Sequence, residues 1–361
     1  MEQTLTAPNL AAITAKKRLD SSFLKRGIIV ATLSGMFYGT YTAFMTLAMT
    51  KGVWAEWYSP EQTALSAFAV MYLLSALGAA TTDTCSAGWA LLIAFARGKL
   101  GDFGRCIRTK PGMIMLGATL IGGPLASTCY VLGLQQAGSI IVPISALCPA
   151  IGAILGRFLF KQKLNARMML GIAICFSASV MIGSTGLGED APANLFIGLF
   201  FGFLAALGWG IEGCVCGYSS SLIDPEIGIT IRQVTSGISN LIILVPLFSL
   251  IGGANPASMI YQAFTDTASI GWFVVAGFGA YFAFMLWYKG NAMCGAALGM
   301  SCNGAFSFWG PFFCWLVLGI AFGHEGWTLP PIAWAAAITM VIGIFTIAMN
   351  PLDLFRKKEQ E

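Results

Sequence analysis

Charge is scarce in this chain. Only 10% of its 361 residues are Asp, Glu, Lys or Arg, where soluble globular domains carry about 25%. With 57% of the residues hydrophobic, this composition excludes an ordinary soluble protein and leaves no stretch for a soluble domain of usual size. Histidine is nearly absent: the single one, His324, falls in an expected loop without a partner motif. No P-loop, HExxH or GxSxG pattern is present, and no paired intramembrane acid suited to hydrolysis, so the chain does not read as an enzyme. The ten cysteines lack metal spacing, because Cys214-Val215-Cys216 has no second pair to complete a site. Nine of them (Cys85, Cys129, Cys148, Cys175, Cys214, Cys216, Cys294, Cys302 and Cys314) sit in apolar segments, where a thiol serves as a small packing group. No metal or cofactor is expected, and the net charge of +4 carries no argument for nucleic acid.

What the chain has instead is a succession of apolar runs of about 18 residues or more, the signature of membrane helices rather than of a membrane β-barrel. Ten spans are expected, at about residues 27–49, 79–95, 112–134, 139–160, 168–183, 195–218, 227–251, 271–288, 296–322 and 332–350. Residues 1–26 are polar and basic and do not read as a cleavable signal. Ten spans with the N-terminus inside put 18 of the 20 basic residues in inner segments. They include Lys16, Lys17, Arg18, Arg97, Lys99, Lys161, Lys163 and Arg356, which is the positive-inside pattern. Lys51 falls outside and Arg232 within a span. Both termini are therefore expected on the cytoplasmic side of a bacterial inner membrane. Trp54, Trp57 and Tyr58 suit an interfacial aromatic belt, as do Trp272, Trp327 and Trp334 near span ends.

The two halves of the chain resemble one another. LSGMFYGT (33–40) aligns with LAALGWGI (204–211), which sets Tyr38 opposite Trp209; ATTDTCSAG (80–88) aligns with TIRQVTSG (230–237), which sets Asp83 near Arg232. A third pair joins residues 137–156 to 294–313. A repeat of five spans is inverted in its second copy, and inverted repeats are the architecture of alternating access around a midplane site. The expected organisation is a basic tail (1–26), a first five-helix repeat (27–186), a linker (187–194), a second repeat (195–350) and a C-terminal tail (351–361). The shift in alignment offset marks an insertion in the first repeat, and the apolar segment 63–78 is read as an extra interfacial or re-entrant helix there.

Three charged residues lie well inside spans: Asp83, Glu212 and Arg232. A carboxylate at bilayer depth costs roughly 2.5–3.5 kcal/mol on insertion scales, so it is retained facing the bundle interior or a wet cavity. Arg232 reads either as an ordering ion pair with Asp83 or Glu212, or as a gating charge; two acids against one base still leave one carboxylate over. Glu212, flanked by Trp209, is taken as that free group, with no permanent protein partner. An anion beside aromatic faces complements a small organic cation. Most of the 26 Phe, ten Trp and nine Tyr are packing or belt residues. Tyr38, Tyr41, Trp209, Tyr281, Trp287 and Trp309 lie deeper and are the candidates for lining a cavity. Small-xxx-small pairs such as Gly35/Gly39 and Gly198/Gly202 suit close helix approach. Pro124, Pro143, Pro149 and Pro311 interrupt spans.

The run from Leu132 to Gly183, with its weaker copy from Leu286 to Asn350, resembles the EamA-type unit of the drug/metabolite transporter superfamily. Within it, LSGMFYG (33–39), AATTD (79–83), GWGIEG (208–213) and IRQVTS (231–236) are similar to the LicB-type bacterial choline permeases. The resemblance implies ten helices in two inverted five-helix repeats, a central cavity and uptake of choline or a related amine. On that basis Trp209, Glu212, Tyr38 and Asp83 become cage and counter-charge. Carnitine, betaine and ethanolamine stay open as substrates, as do the ion coupling and a homodimeric state. The alternatives are an exporter of amino acids or other metabolites, and a non-transporting membrane sensor.

Overall fold

The computed structural model describes residues 7–159, 165–184, 193–219, 222–294 and 296–348. Lys161, Lys163, most of the 187–194 linker and the 351–361 tail lie outside the described residues. Among the described residues the regular structure is entirely helical. In order, the helices are α1 (Ala7–Ala48), α2 (Gly52–Tyr58), α3 (Leu74–Ala96), α4 (Leu100–Cys106), α5 (Lys110–Leu120), α6 (Ala126–Ala137), α7 (Val142–Ser145), α8 (Cys148–Leu159) and α9 (Ala166–Ser184). There follow α10 (Leu195–Ser219), α11 (Pro225–Ser239), α12 (Val245–Gly252), α13 (Pro256–Thr265), α14 (Ile270–Cys294), α15 (Ala296–Asn303), α16 (Phe306–Cys314) and α17 (Pro331–Ala348).

Among the described residues, five helical stretches are long and apolar enough to cross a membrane: Arg26–Ala48, Lys110–Ser145, Leu195–Cys216, Pro225–Gly252 and Ile270–Met293. Shorter apolar helices cover Ala166–Met181, Phe306–Ala321 and Pro331–Ile347. In lipid every backbone group must find its partner within the chain, and a helix does that locally. Large apolar side chains, among them Phe95, Phe158, Val180, Phe196 and Leu250, are exposed on the bundle surface, where contact with hydrocarbon carries no penalty. The chain is accordingly membrane-embedded.

The starts of several helices follow from their capping residues. Thr109 accepts from the Gly112 amide with Pro111 in the first turn, Asp224 from Glu226 with Pro225, and Asn255 from Ser258 with Pro256. These side chains satisfy amides that have no intrahelical acceptor, and proline removes one such amide outright. Gly138, at φ +67°, ends α6 and turns the chain into α7. Helices α7 and α8 are interrupted at Ala146–Leu147, and α15 and α16 at Gly304–Ala305. These breaks fall at corresponding places in the third pair of aligned segments.

Two features differ from the sequence reading. Segment 63–78 does not form a separate helix: Ala69–Leu73, in π geometry, runs straight into α3. A separate short helix lies before it, α2 (Gly52–Tyr58). The basic N-terminal segment is not distinct from the first span either, because α1 is continuous over 42 residues.

The first part of helix α3 is buried at every position from Leu74 to Asp83. The helix packs on α11 and α14, while α1 packs on α14 and α16, α10 on α6 and α8, and α9 on α17. A stretch surrounded by protein has no need of a lipid-facing stripe, so this part of α3 can carry Thr81, Thr82 and Asp83, with Ser86 buried one turn on. Close approach depends on glycine at specific crossings. A Cβ on Gly39 would lie 2.5 Å from the Trp309 carbonyl oxygen, which fixes α1 hard against α16. Three further π segments, Ile121–Leu125, Asn240–Leu244 and Trp315–Ala321, interrupt the α ladder. The first contains Pro124, which lacks an amide hydrogen and clashes with a regular α turn.

Candidate functional site

The three buried charges, carried by α3, α10 and α11, converge beside the π segment Ile121–Leu125 that all three helices contact. Arg232 donates from Nε to Glu212 Oε1 at 2.9 Å and from Nη2 to Oε2 at 3.4 Å, and both residues are fully buried. Tyr288 adds its hydroxyl to Glu212 Oε1 at 3.0 Å. Arg232 Nη1 donates to the Gln233 side chain and Nη2 also, at 3.3 Å, to the Gly122 carbonyl. The guanidinium carbon lies 3.5 Å from the centroid of the Phe284 ring. This overturns the expectation that Glu212 waits without a partner. The niche of carboxylate and aromatic face is filled by the protein's own guanidinium, a planar cation that matches both.

The leftover carboxylate is Asp83. Among the described residues its hydrogen-bond donors are the Ser236 hydroxyl and, at 3.5 Å, the Asn240 amide. Neither is charged. Asn240 in turn accepts from Thr128 at 3.3 Å, and Gln233 donates to Ser86. Arg232, Ser236 and Asn240 fall at i, i+4 and i+8 of one chain segment. One face of α11 therefore presents the guanidinium to α10 and the amide and hydroxyl to α3. Asp83, Glu212 and Arg232 are the buried charged side chains among the described residues, so the buried sum is −1.

An aromatic cluster adjoins these charges. Tyr38 meets Trp209 edge-on at 5.6 Å between centroids, and it also contacts Tyr41 (5.2 Å), Tyr130 (5.6 Å), Phe284 (6.1 Å) and Phe306 (4.3 Å, stacked). Trp209 touches Tyr130 at 5.2 Å. Phe284, which contacts Tyr38, also carries the Arg232 guanidinium on its face, which joins the charges and the rings into one site. Rings stacked at 4.3 Å leave no place for a cation between them, so Tyr38 and Phe306 must part to admit one.

The π segment Ile121–Leu125 supplies the third component. Its Gly122 carbonyl accepts from the Trp209 indole at 2.8 Å as well as from Arg232. One backbone oxygen thus orients both a ring and a charge. Gly122 is required there, because a Cβ would lie 2.0 Å from Glu212 Oε2.

Of the residues singled out in the sequence, Tyr38, Tyr41, Trp209, Asp83, Glu212 and Arg232 are brought together. Trp287 stands at the margin, 6.2 Å from Phe284, with its indole nitrogen buried and unpartnered. Tyr281 pairs with Phe282, and the charges around it are Glu226, Arg97, Lys99 and Asp224 at one end of the bundle. Trp309 contacts Phe308, Phe312 and Phe313 of its own helix. These two stand apart from the cluster. Sequence reasoning missed Tyr130, Phe284, Phe306, Tyr288 and Gly122. It also missed Ser236 and Asn240, which the four-residue spacing from Arg232 marks.

At that same end, Lys99 bridges Asp224 and Glu226 at 2.9 Å each, and Arg97 pairs with Glu226. The cluster ties the end of α3 to the start of α11. Burial works against ionisation of Asp224, yet the Lys99 ammonium and the Glu226 and Ile227 amides outweigh it and hold the carboxyl below its ordinary range.

No family model matches the chain. Protein LicB of Haemophilus influenzae is 25% identical over 126 residues, 35% of this chain and 42% of that protein. The match thus spans less than half of the relative's length. One solved crystal structure matches over 90% of this chain and 97% of its own, with a TM-score of 0.53 and 17% identity; at that identity the likeness speaks for the fold alone.

Proposed function

We propose that the chain is a membrane transporter for a small organic cation, choline or a close relative, moved by alternating access between two inverted five-helix repeats. The observation that carries this reading is the charge sum. Glu212 and Arg232 neutralise one another, and Asp83, beside a cluster of aromatic rings, has neutral hydrogen-bond partners alone among the described residues. A buried carboxylate without a cation is costly, and a positive guest removes that cost. Aromatic faces attract such a guest by about 0.5–2 kcal/mol each, depending on desolvation. The counter-charge is therefore Asp83, and the walls are Tyr38, Tyr41, Tyr130 and Trp209.

Further support comes from the breaks after α7 and α15 at corresponding positions of the aligned segments, from the sequence resemblance to choline permeases, and from the LicB match. An inward-negative potential favours entry of a monovalent cation by about 2.3 kcal/mol per 100 mV, so accumulation needs no second ion. The test is radiolabelled choline uptake into proteoliposomes with a negative interior. Wild type accumulates choline. Asp83→Asn, which keeps the shape and the hydrogen bonds to Ser236 and Asn240, loses at least tenfold in uptake at low substrate. Wild-type rates in Asp83→Asn, or no potential-driven choline uptake by the wild type, refute the assignment.

A further inference from the structure

We infer that the site discriminates by net charge, accepting monocations and rejecting zwitterions, and that Arg232 is the residue that sets this rule. The inference rests on the proposed reading of the Asp83 region as an organic-cation site, and it narrows the substrate class.

A zwitterion such as betaine, carnitine or an amino acid carries a carboxylate that needs a cationic partner once it leaves water. Arg232 is the buried cation among the described residues, and four of its five N–H groups are committed. Nε and Nη2 serve Glu212, Nη2 also serves the Gly122 carbonyl, and one Nη1 hydrogen serves Gln233. The guanidinium face is covered by Phe284. Glu212 is in turn held by the Tyr288 hydroxyl, so the pair is clamped from both sides. A guest carboxylate would enter a region whose formal charge is already −1 and meet a cation that Glu212 has neutralised, with one Nη1 hydrogen left to offer. A neutral hydroxyl meets no such obstacle, and the Tyr38 hydroxyl, buried without a partner in the ring cluster, is a polar atom available to it. Arg232, its charge neutralised by Glu212, thus acts as a specificity-determining residue without touching the guest.

The experiment is competition against radiolabelled choline bound to the purified full-length protein, using tetramethylammonium, ethanolamine, betaine, carnitine and alanine. Tetramethylammonium and ethanolamine compete, while betaine, carnitine and alanine compete at least about 100-fold more weakly than choline, as expected for a guest charge left buried and unpaired. Betaine or carnitine within tenfold of choline overturns the charge rule and leaves the cation-site reading standing. Absence of any choline binding overturns both. Two variants separate cause from coincidence. Glu212→Gln frees part of the guanidinium and brings the buried sum to zero, so the choline-to-betaine ratio narrows at least tenfold. Asp83→Asn also brings the sum to zero but leaves Arg232 paired with Glu212, so it weakens choline without strengthening betaine. If Asp83→Asn strengthens betaine as much as Glu212→Gln does, net charge alone sets selectivity and the role given to Arg232 is wrong.

Discussion

Replacing Glu212 by Gln tests whether that carboxylate holds the fold together or waits for substrate. Both members of its pair are fully buried, the Nε–Oε1 distance is 2.9 Å, and Tyr288 donates to the same oxygen. Removing one partner of a buried pair strands the other charge and costs about 3–5 kcal/mol. Gln retains an acceptor for Arg232 or Tyr288, and Asp83 supplies a second negative charge close by, so the low end, about 3 kcal/mol, is expected. For a domain of this size that lowers the melting midpoint by roughly 5–10 °C. Replacing both partners, Glu212→Gln with Arg232→Met, removes the stranded charge and recovers most of the loss, since apolar substitutes for buried pairs are often neutral or better. The assay is thermal unfolding of the detergent-solubilised protein, followed by fluorescence-detected size exclusion, for the two single variants and the double. If Glu212→Gln melts with the wild type while choline uptake is abolished, Glu212 is a substrate carboxylate after all and the structural assignment fails. A double variant no more stable than the worse single variant fails it equally.

Gly122→Ala places a Cβ 2.0 Å from Glu212 Oε2; overpacking of this kind costs about 1–3 kcal/mol, and the same thermal assay should show the drop. Lys99→Gln removes the ammonium shared by Asp224 and Glu226. Asp224 titrates below its unfolded value in the folded protein, so its contribution is present at pH above the unfolded carboxylate range and is lost as pH falls through the folded value. Lys99 is raised by its bonds to Asp224 and Glu226, so its contribution holds below its unfolded value and fades as pH climbs past the folded one. Wild-type thermal stability should therefore fall at both extremes, and at high salt near neutral pH, more than that of Lys99→Gln. Trp209→Phe keeps a ring but loses the indole bond to the Gly122 carbonyl; a buried acceptor short of one donor costs about 1–3 kcal/mol, and the choline affinity of this variant should drop measurably.

Much of this arrangement was legible in the amino-acid order. Apolar runs mark most of the helices because a chain in lipid has few other ways to satisfy its backbone. The alignment of LSGMFYGT with LAALGWGI set Tyr38 opposite Trp209, and the two rings do touch. Charge counting showed that one carboxylate must be left over. Which one was not legible: Asp83 lies on α3, which packs against α11, whereas Glu212 lies on α10 and reaches Arg232 beside the π segment Ile121–Leu125 that α10 and α11 both contact. The spacing of Arg232, Ser236 and Asn240 held part of that answer. Segment 63–78 was misread because an alignment offset reveals surplus residues without saying whether they extend a helix or form a new one. Rings contributed by other helices, such as Phe284 and Phe306, looked no different from the many aromatics that face lipid.

The four π segments carry a further consequence for how this chain tolerates length changes. Each gives its rod one residue more than an α ladder needs for the same rise. Deleting a single residue within Asn240–Leu244 would let an ordinary turn close without unpairing the backbone and leave Val245–Gly252 facing nearly as before, because the wider π turn winds less per residue. A surplus residue handed one turn along the rod would instead re-aim the side chains it passes by about 100° while the rod stayed whole. Such sites absorb insertions and deletions both along the axis and around it.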